Sequence, residues 1–139
     1  MRTREVTKGI TLWPTDRPDY PFAAVLTYSP ADPYAVRLAF IQGFRETVVH
    51  RFARNLLAEG MDDPAGQCDV TVSPHEEVDD YLILTVRGAV GYPFAVYAFR
   101  EPVQDFLDQA FGLVPWGRER EHQGDLDAEI ATFFRGVAS

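Results

Sequence analysis

Residues 29–61 read SPADPYAVRLAFIQGFRETVVHRFARNLLAEGM, an unbroken passage from turn to strand, hairpin, second strand and helix. Pro30 and Pro33 bracket Asp32 in a turn, a combination that fixes backbone angles and supplies a side-chain acceptor. Tyr34, Val36, Leu38 and Phe40 then alternate with Ala35, Arg37, Ala39 and Ile41, which predicts a strand with one apolar and one mixed face. Gln42-Gly43 supplies the hairpin turn, and Thr47, Val48 and Val49 restore strand propensity. Spacing changes at Phe52, Ala53, Leu56 and Leu57, which predicts a helix over about 52–59, stopped by Gly60. No recognisable catalytic constellation lies in the stretch.

Outward from it, the same periodicities continue. Val6, Ile10 and Leu12 predict a strand ending at Trp13-Pro14, and Phe22–Tyr28 a second one beyond the loop through Pro18 and Pro21. With the hairpin of 34–42 and 45–51, that makes four strands before the helix. Cys68–Ser73, Tyr81–Arg87 and Tyr92–Phe99 predict three more, separated by the turns at 75–80 and 88–91. Val103, Phe106, Leu107, Ala110 and Phe111 form a helical stripe behind Pro102, with Gly112 as the expected stop. A charged connector from Trp116 to Gln123 leads to a last helix marked by Leu126, Ile130, Phe133 and Phe134, with Asp125 as N-cap and Gly136 beyond its end. The order ββββα-βββ(β)-αα predicts an α+β fold in which helices cover antiparallel sheet.

The 139 residues, 46% of them apolar, are enough for one domain over 1–139 and too few to expect a second. A formal net charge of −8 disfavours general binding to nucleic acid, which needs clustered Lys and Arg. The single cysteine, Cys68, has no internal partner for a disulfide. With no signal peptide visible at Met1-Arg2-Thr3-Arg4, a cytoplasmic location is expected. No apolar run approaches the roughly 20 residues of a spanning helix, so membrane insertion is not expected.

Candidate chemistry is thin. His75 with Glu76, Glu77, Asp79 and Asp80 has ligand types suited to a divalent ion but no known metal spacing, and reads as a solvated acidic turn. Cys68 and His50 lack the motif of a nucleophile and its base. Asp125, Asp127 and Glu129 sit where carboxylates complement a helix N-terminus. Gly43, Gly60, Gly66, Gly88 and Gly91 are scattered and form no phosphate-cradling loop. Tyr81, Tyr97 and Phe99 could stack on bases, and Arg37, Arg45, Arg51, Arg54 and Arg87 could gather on one sheet face, but core or interface packing is the simpler reading. Trp116, beside Pro115, is the candidate exposed anchor for a partner. No catalytic, metal-binding or cofactor-binding residue is assigned, and no enzyme activity is expected.

The stretch resembles the SsgA-like sporulation and cell-division proteins of actinobacteria at ADPYAV (31–36), ETV (46–48) and FARNLLAEGM (52–61). Ala31, Asp32, Pro33, Tyr34, Ala35, Val36, Phe52, Ala53, Arg54, Leu56, Leu57, Ala58, Glu59 and Gly60 carry the resemblance as a family signature. It continues through Gly66, Asp69-Val70-Thr71-Val72-Ser73-Pro74, Val114-Pro115 with Gly117, and Asp125-Leu126-Asp127 with Glu129. Asn55, Met61 and His50 depart from the pattern and leave the paralogue, SsgB-type or another, open. The resemblance implies a Whirly-like fold of two antiparallel sheets packed near-perpendicularly, and a homotrimer. It implies a noncatalytic regulator of sporulation-specific division, placed at the septum, that positions or recruits the division protein FtsZ together with SsgA-like paralogues. The alternative, from the Whirly-like fold, is a single-stranded nucleic-acid-binding module.

Overall fold

In the computed structural model, which describes residues 4–67, 69–87 and 93–122, alternation sets the first four strands. These are β1 (Val6–Pro14), β2 (Phe22–Tyr28), β3 (Ala35–Gln42) and β4 (Arg45–Ala53), each antiparallel to the one before. Ala24, Leu26 and Tyr28 of β2 are buried while the residues between them are half-covered, the pattern of a strand with one face on the core. Helix α1 (Arg54–Glu59) follows β4 without a loop. A second meander then forms from β5 (Ala65–Gln67), β6 (Val70–Pro74), β7 (Tyr81–Arg87) and β8 (Pro93–Phe99), and helix α2 (Arg100–Leu113) follows β8 in the same way.

The expected antiparallel α+β architecture is present, with the short β5 supplying an eighth strand. The expected pair of separate sheets is not. All eight strands belong to one sheet in the order β4-β3-β2-β1-β8-β7-β6-β5. Continuity comes from the end of β1, which runs on to Pro14 and pairs with β8 through Leu12 to Ala98, Trp13 to Tyr97 and Pro14 to Val96. Leu12, Ala98 and Val96 are fully buried, so the same three rungs that join the meanders lie over the core. That core also takes Leu26, Leu38 and Leu57 from the first half, Leu82 and Leu84 from the second, and Phe106 and Leu107 from α2.

Several local expectations shift. Tyr34 is 44% exposed, because it belongs to the turn before β3 and its carbonyl accepts the Arg54 backbone N–H at 2.8 Å. The hairpin turn is centred on Gly43 and Phe44, with φ of 58° and 64°, while Gln42 pairs with Arg45. Both central residues are left-handed, as a two-residue turn matching strand twist requires. Phe52 and Ala53 remain in β4 opposite Val36 and Ala35, so α1 begins at Arg54.

Gly60 does end α1, but in right-handed conformation; its need for glycine is a close approach. A Cβ there would lie 2.5 Å from the Val72 side chain and 2.8 Å from its carbonyl oxygen. Gly112, in contrast, lies within α2, whose end is set one residue beyond Leu113. Val114 precedes Pro115 and is extended at φ −133°, ψ 99°, the conformation that proline imposes on its predecessor. The stripe of Val103, Phe106, Leu107 and Ala110 is buried as expected, with Phe111 at its margin. Cys68, the turn at 88–91 and the expected last helix with Asp125, Leu126, Asp127, Glu129, Ile130, Phe133 and Phe134 lie outside the described residues.

Candidate functional site

Three parts of the chain converge where α1 begins, α2 ends and the segment after Pro115 turns back. The centre is Arg54, whose relative exposure is 0%. Its Nη1 donates to the carbonyl oxygens of Ala110 at 3.1 Å and Val114 at 2.7 Å, and its Nη2 to Glu119 Oε1 at 2.9 Å. The last carbonyls of a helix have no partner within it and carry its negative pole, so a guanidinium there satisfies them and complements the dipole. The guanidinium also lies between two rings, 4.0 Å from the centre of Phe111 and 4.8 Å from that of Tyr28.

Each partner is held in turn. Burial pushes the Glu119 carboxyl up, but hydrogen bonds from its own and the Gly117 backbone N–H and from Arg54 outweigh this and hold it below its ordinary value. Tyr28 donates its hydroxyl to the Pro33 carbonyl at 3.0 Å. Burial raises that hydroxyl's pKa to about 12, with Arg54 acting the other way and Glu119 and Asp32 adding to the rise. Trp116 is 56% exposed and stacks on Phe111 with centroids 5.3 Å apart. It sits in the turn closed by the Arg118 N–H on the Pro115 carbonyl, with Gly117 at φ 84°. A continuous stack therefore runs from exposed Trp116 through Phe111 and Arg54 to Tyr28.

The remaining signature positions serve the entry to this cluster. The Asp32 backbone N–H donates to the Ser29 carbonyl at 2.9 Å, closing the turn, and its carboxylate accepts from Arg51 Nε at 2.8 Å and Nη2 at 2.7 Å. Leu56 and Leu57 are buried, Ala58 is half-buried, and Ala31 and Glu59 face outward to differing degrees. The arginines considered as one basic face do not act together. Arg54 is buried, Arg51 pairs with Asp32, and Arg37 pairs with Glu46. Among the described residues, no group of three or more His, Cys, Asp or Glu side chains lies close enough to hold a metal ion.

Sequence reading named Arg54, Trp116 and Phe111 for separate reasons and did not join them; it missed Tyr28 and Glu119 altogether. A signal for Arg54 was present, since it is a charge set within the apolar helical spacing of Phe52, Leu56 and Leu57. Nothing local marks Glu119, which lies among Arg118, Arg120 and Glu121 in a charged run.

With this geometry in place, comparison with known proteins is direct. The family described as "Streptomyces sporulation and cell division protein, SsgA" matches residues 22–119. The chain belongs to the SsgA family. The sporulation-specific cell division protein SsgB of Thermobifida fusca is 38% identical over 126 residues, covering 88% of each chain. SsgB of Streptomyces coelicolor is 37% identical over 111 residues, covering 80% of each. The crystal structure of an SsgA-like sporulation-specific cell division protein from Thermobifida fusca superimposes with a TM-score of 0.80 at 33% identity, covering 96% of this chain and 98% of that one. The match of the SsgA family spans every member of the Arg54 cluster, from Tyr28 to Glu119.

Two outcomes test the cluster. Arg54→Ala leaves a buried carboxylate and two helix carbonyls without a donor, and should lower unfolding stability by about 3–5 kcal/mol in denaturant titrations. Arg54→Lys, which lacks the planar fork, should recover only part of this. For Tyr28, an unfolded tyrosine ionises near pH 10 and the folded one at about 12. Its contribution is therefore complete below pH 10 and is lost as pH rises towards 12, by on the order of 2 kcal/mol. Thermal melts across that window should show the decline in the parent chain and a shallower one in Tyr28→Phe.

Proposed function

We propose that this chain is a noncatalytic regulator of sporulation-specific cell division that works by protein–protein recognition at the septum. The observation that carries the reading is the match of residues 22–119 to the SsgA family, together with relatives named as sporulation-specific cell division proteins. Membership connects the chain to cell division; the mode of action is supported by the type of structure. The hydrogen bonds of Arg54 are spent on the end of α2 and on Glu119, a structural use, whereas Trp116 presents an aromatic surface at the rim of the cluster. In this reading the signature residues build the platform and Trp116 contacts a partner, with FtsZ and SsgA-like paralogues as the partners and the chain acting as one SsgA-like domain in the cytoplasm. Among the described residues no helix is long and apolar enough to cross a membrane, which agrees with recruitment through a partner.

Purified chain should co-sediment with FtsZ polymers from a sporulating actinobacterial host, alone or with an SsgA-like paralogue present, and Trp116→Ala should reduce that retention. Failure to sediment under either condition would remove the recruiting role. Tight, salt-sensitive binding to single-stranded oligonucleotides would favour the nucleic-acid module instead.

The same reading includes a homotrimer. Strands β4 and β5 are the two edges of the sheet and leave rows of backbone donors and acceptors open to another protomer. Light scattering should give a mass three times the 15.7 kDa of one chain; a monomer at micromolar concentration would refute it.

A further inference from the structure

On the outer face of the sheet, where β1, β8 and β7 lie side by side, four aromatic residues gather among those pointing away from the core: Trp13, Tyr81, Tyr97 and Phe99. Register makes this unavoidable: Trp13 stands opposite Tyr97, Tyr97 opposite Ile83, and Tyr81 opposite Phe99. Their sequence neighbours Leu12, Leu82, Val96 and Ala98 are fully buried, so alternation turns Trp13, Tyr81 and Tyr97 outward. Such positions on a half-covered antiparallel sheet are ordinarily polar. Here Trp13 meets Phe99 edge-on at 4.9 Å, Phe99 stacks on Tyr81 at 5.1 Å, and His75 lies 5.6 Å from Tyr97 and 6.3 Å from Tyr81. Pro18 and Val78 close the space from two loops, leaving a cavity of about 310 Å³ lined by Trp13, Pro18, His75, Val78, Tyr81 and Tyr97.

The walls are fixed before any ligand arrives. His75 Nδ1 accepts the backbone N–H groups of Glu77 at 3.1 Å and Val78 at 3.0 Å, and the His75 backbone N–H donates to the Tyr81 carbonyl at 3.0 Å. Arg100 holds the far end of that loop, through Nε on the Asp79 carbonyl at 2.7 Å and its backbone N–H on the Asp80 carbonyl at 2.8 Å. Preorganised walls reduce what binding must order.

Charge decides what fits. The loop that carries His75 and Val78 also carries Glu76, Glu77, Asp79 and Asp80, all exposed. The loop that carries Pro18 adds Asp16 and Asp19 against a single Arg17. None of these six carboxylates is in a salt bridge among the described residues. Aromatic faces are electronegative and attract cations, and uncompensated carboxylates around them strengthen the attraction. A nucleotide would bring its phosphate to those carboxylates, and an apolar side chain would make no use of them.

We propose that this cavity binds a basic side chain, arginine above all, presented by a segment of a partner polypeptide. A guanidinium is flat enough to stack between Tyr97, Tyr81 and Trp13 while its donors reach the acidic rim, which a compact ammonium does less well. This deepens the partner-recognition reading above by naming the chemistry of the ligand, and it is tested on the isolated chain, so its failure would not touch the FtsZ experiment.

The chain has two tryptophans, which makes the test internally controlled. Nitrogen-resolved NMR should follow the indole N–H signals of Trp13 and Trp116 during titration with acetyl-Gly-Arg-Arg-Gly-amide and with its uncharged citrulline analogue. Trp13 should shift saturably with the arginine peptide, Trp116 should not, and the citrulline peptide should bind roughly fivefold more weakly or worse. Tyr97→Phe should keep the binding and Tyr97→Leu should lose roughly fivefold of it. Glu77→Gln combined with Asp79→Asn, which leaves every aromatic in place, should also weaken it. Equal binding of the two peptides would overturn the proposal. So would shifts at both indoles alike, a stronger response of Trp13 to an oligothymidine, or no shift by about 10 mM peptide, an affinity too weak for the preformed site described.

Discussion

A buried arginine is costly unless its charge is countered and its donors are answered, and the Arg54 site meets that requirement at both terminal nitrogens, leaving only Nε without a partner among the described residues. Glu119 supplies the countercharge, Ala110 and Val114 the carbonyls, Phe111 and Tyr28 the flanking rings. These groups come from β2, the start of α1, the last turn of α2 and the segment beyond it. No one of them can move without exposing or stranding another, so a single side chain fixes how the two helices sit relative to one another. Exposed pairs such as Arg37 with Glu46 do not carry this weight, because water competes for both partners.

The site also explains features that look unrelated along the chain. Pro33 gives Tyr28 an acceptor for its hydroxyl, and Asp32 ties the same turn to β4 through Arg51. Tyr34 lends its carbonyl to the backbone N–H of Arg54, so the turn before β3 sets the first residue of α1. Pro115 forces Val114 out of helical conformation and so ends α2 where the guanidinium can reach it. The stretch from Ala31 to Gly60 is thus a framework for one buried cation, with its exposed outlet at Trp116.

Local rules carried the sequence reading as far as local physics reaches. Alternation in β2 and β3, the turn at Gly43 and the apolar stripe of α2 depend on neighbours two to four residues away, and all are found close to where they were expected. What the chain does not spell out are contacts between distant segments. The three rungs joining β1 to β8 make one sheet out of an expected two, and nothing in either strand announces the other. Glu119 is one carboxylate in a charged run until Arg54 is seen beneath it. Phe44, placed at positive φ and fully exposed at the hairpin tip, runs against both propensity and burial, and alternation gives no warning of it. Family resemblance identified the chain but carried the separate sheets with it, an expectation that the paired backbone of β1 and β8 corrects.

The short join between the two meanders has a mechanical meaning. Every other strand pairing connects neighbours in the chain, whereas β1 and β8 are the first and last strands in sequence. Backbone pairing joins the halves at three rungs, with one further bond from the Thr15 N–H to the Ala95 carbonyl at 3.0 Å, a narrow seam in a sheet whose other ladders are mostly longer. Helix α2 emerges from β8 and lies back across β1, with Asp105 reaching Lys8 at 3.8 Å, so it bridges the seam from one side. Arg54, by gripping the far end of that helix from the first half of the chain, acts as the latch of a clasp: the side chain that caps a helix also ties the two halves of the sheet to each other.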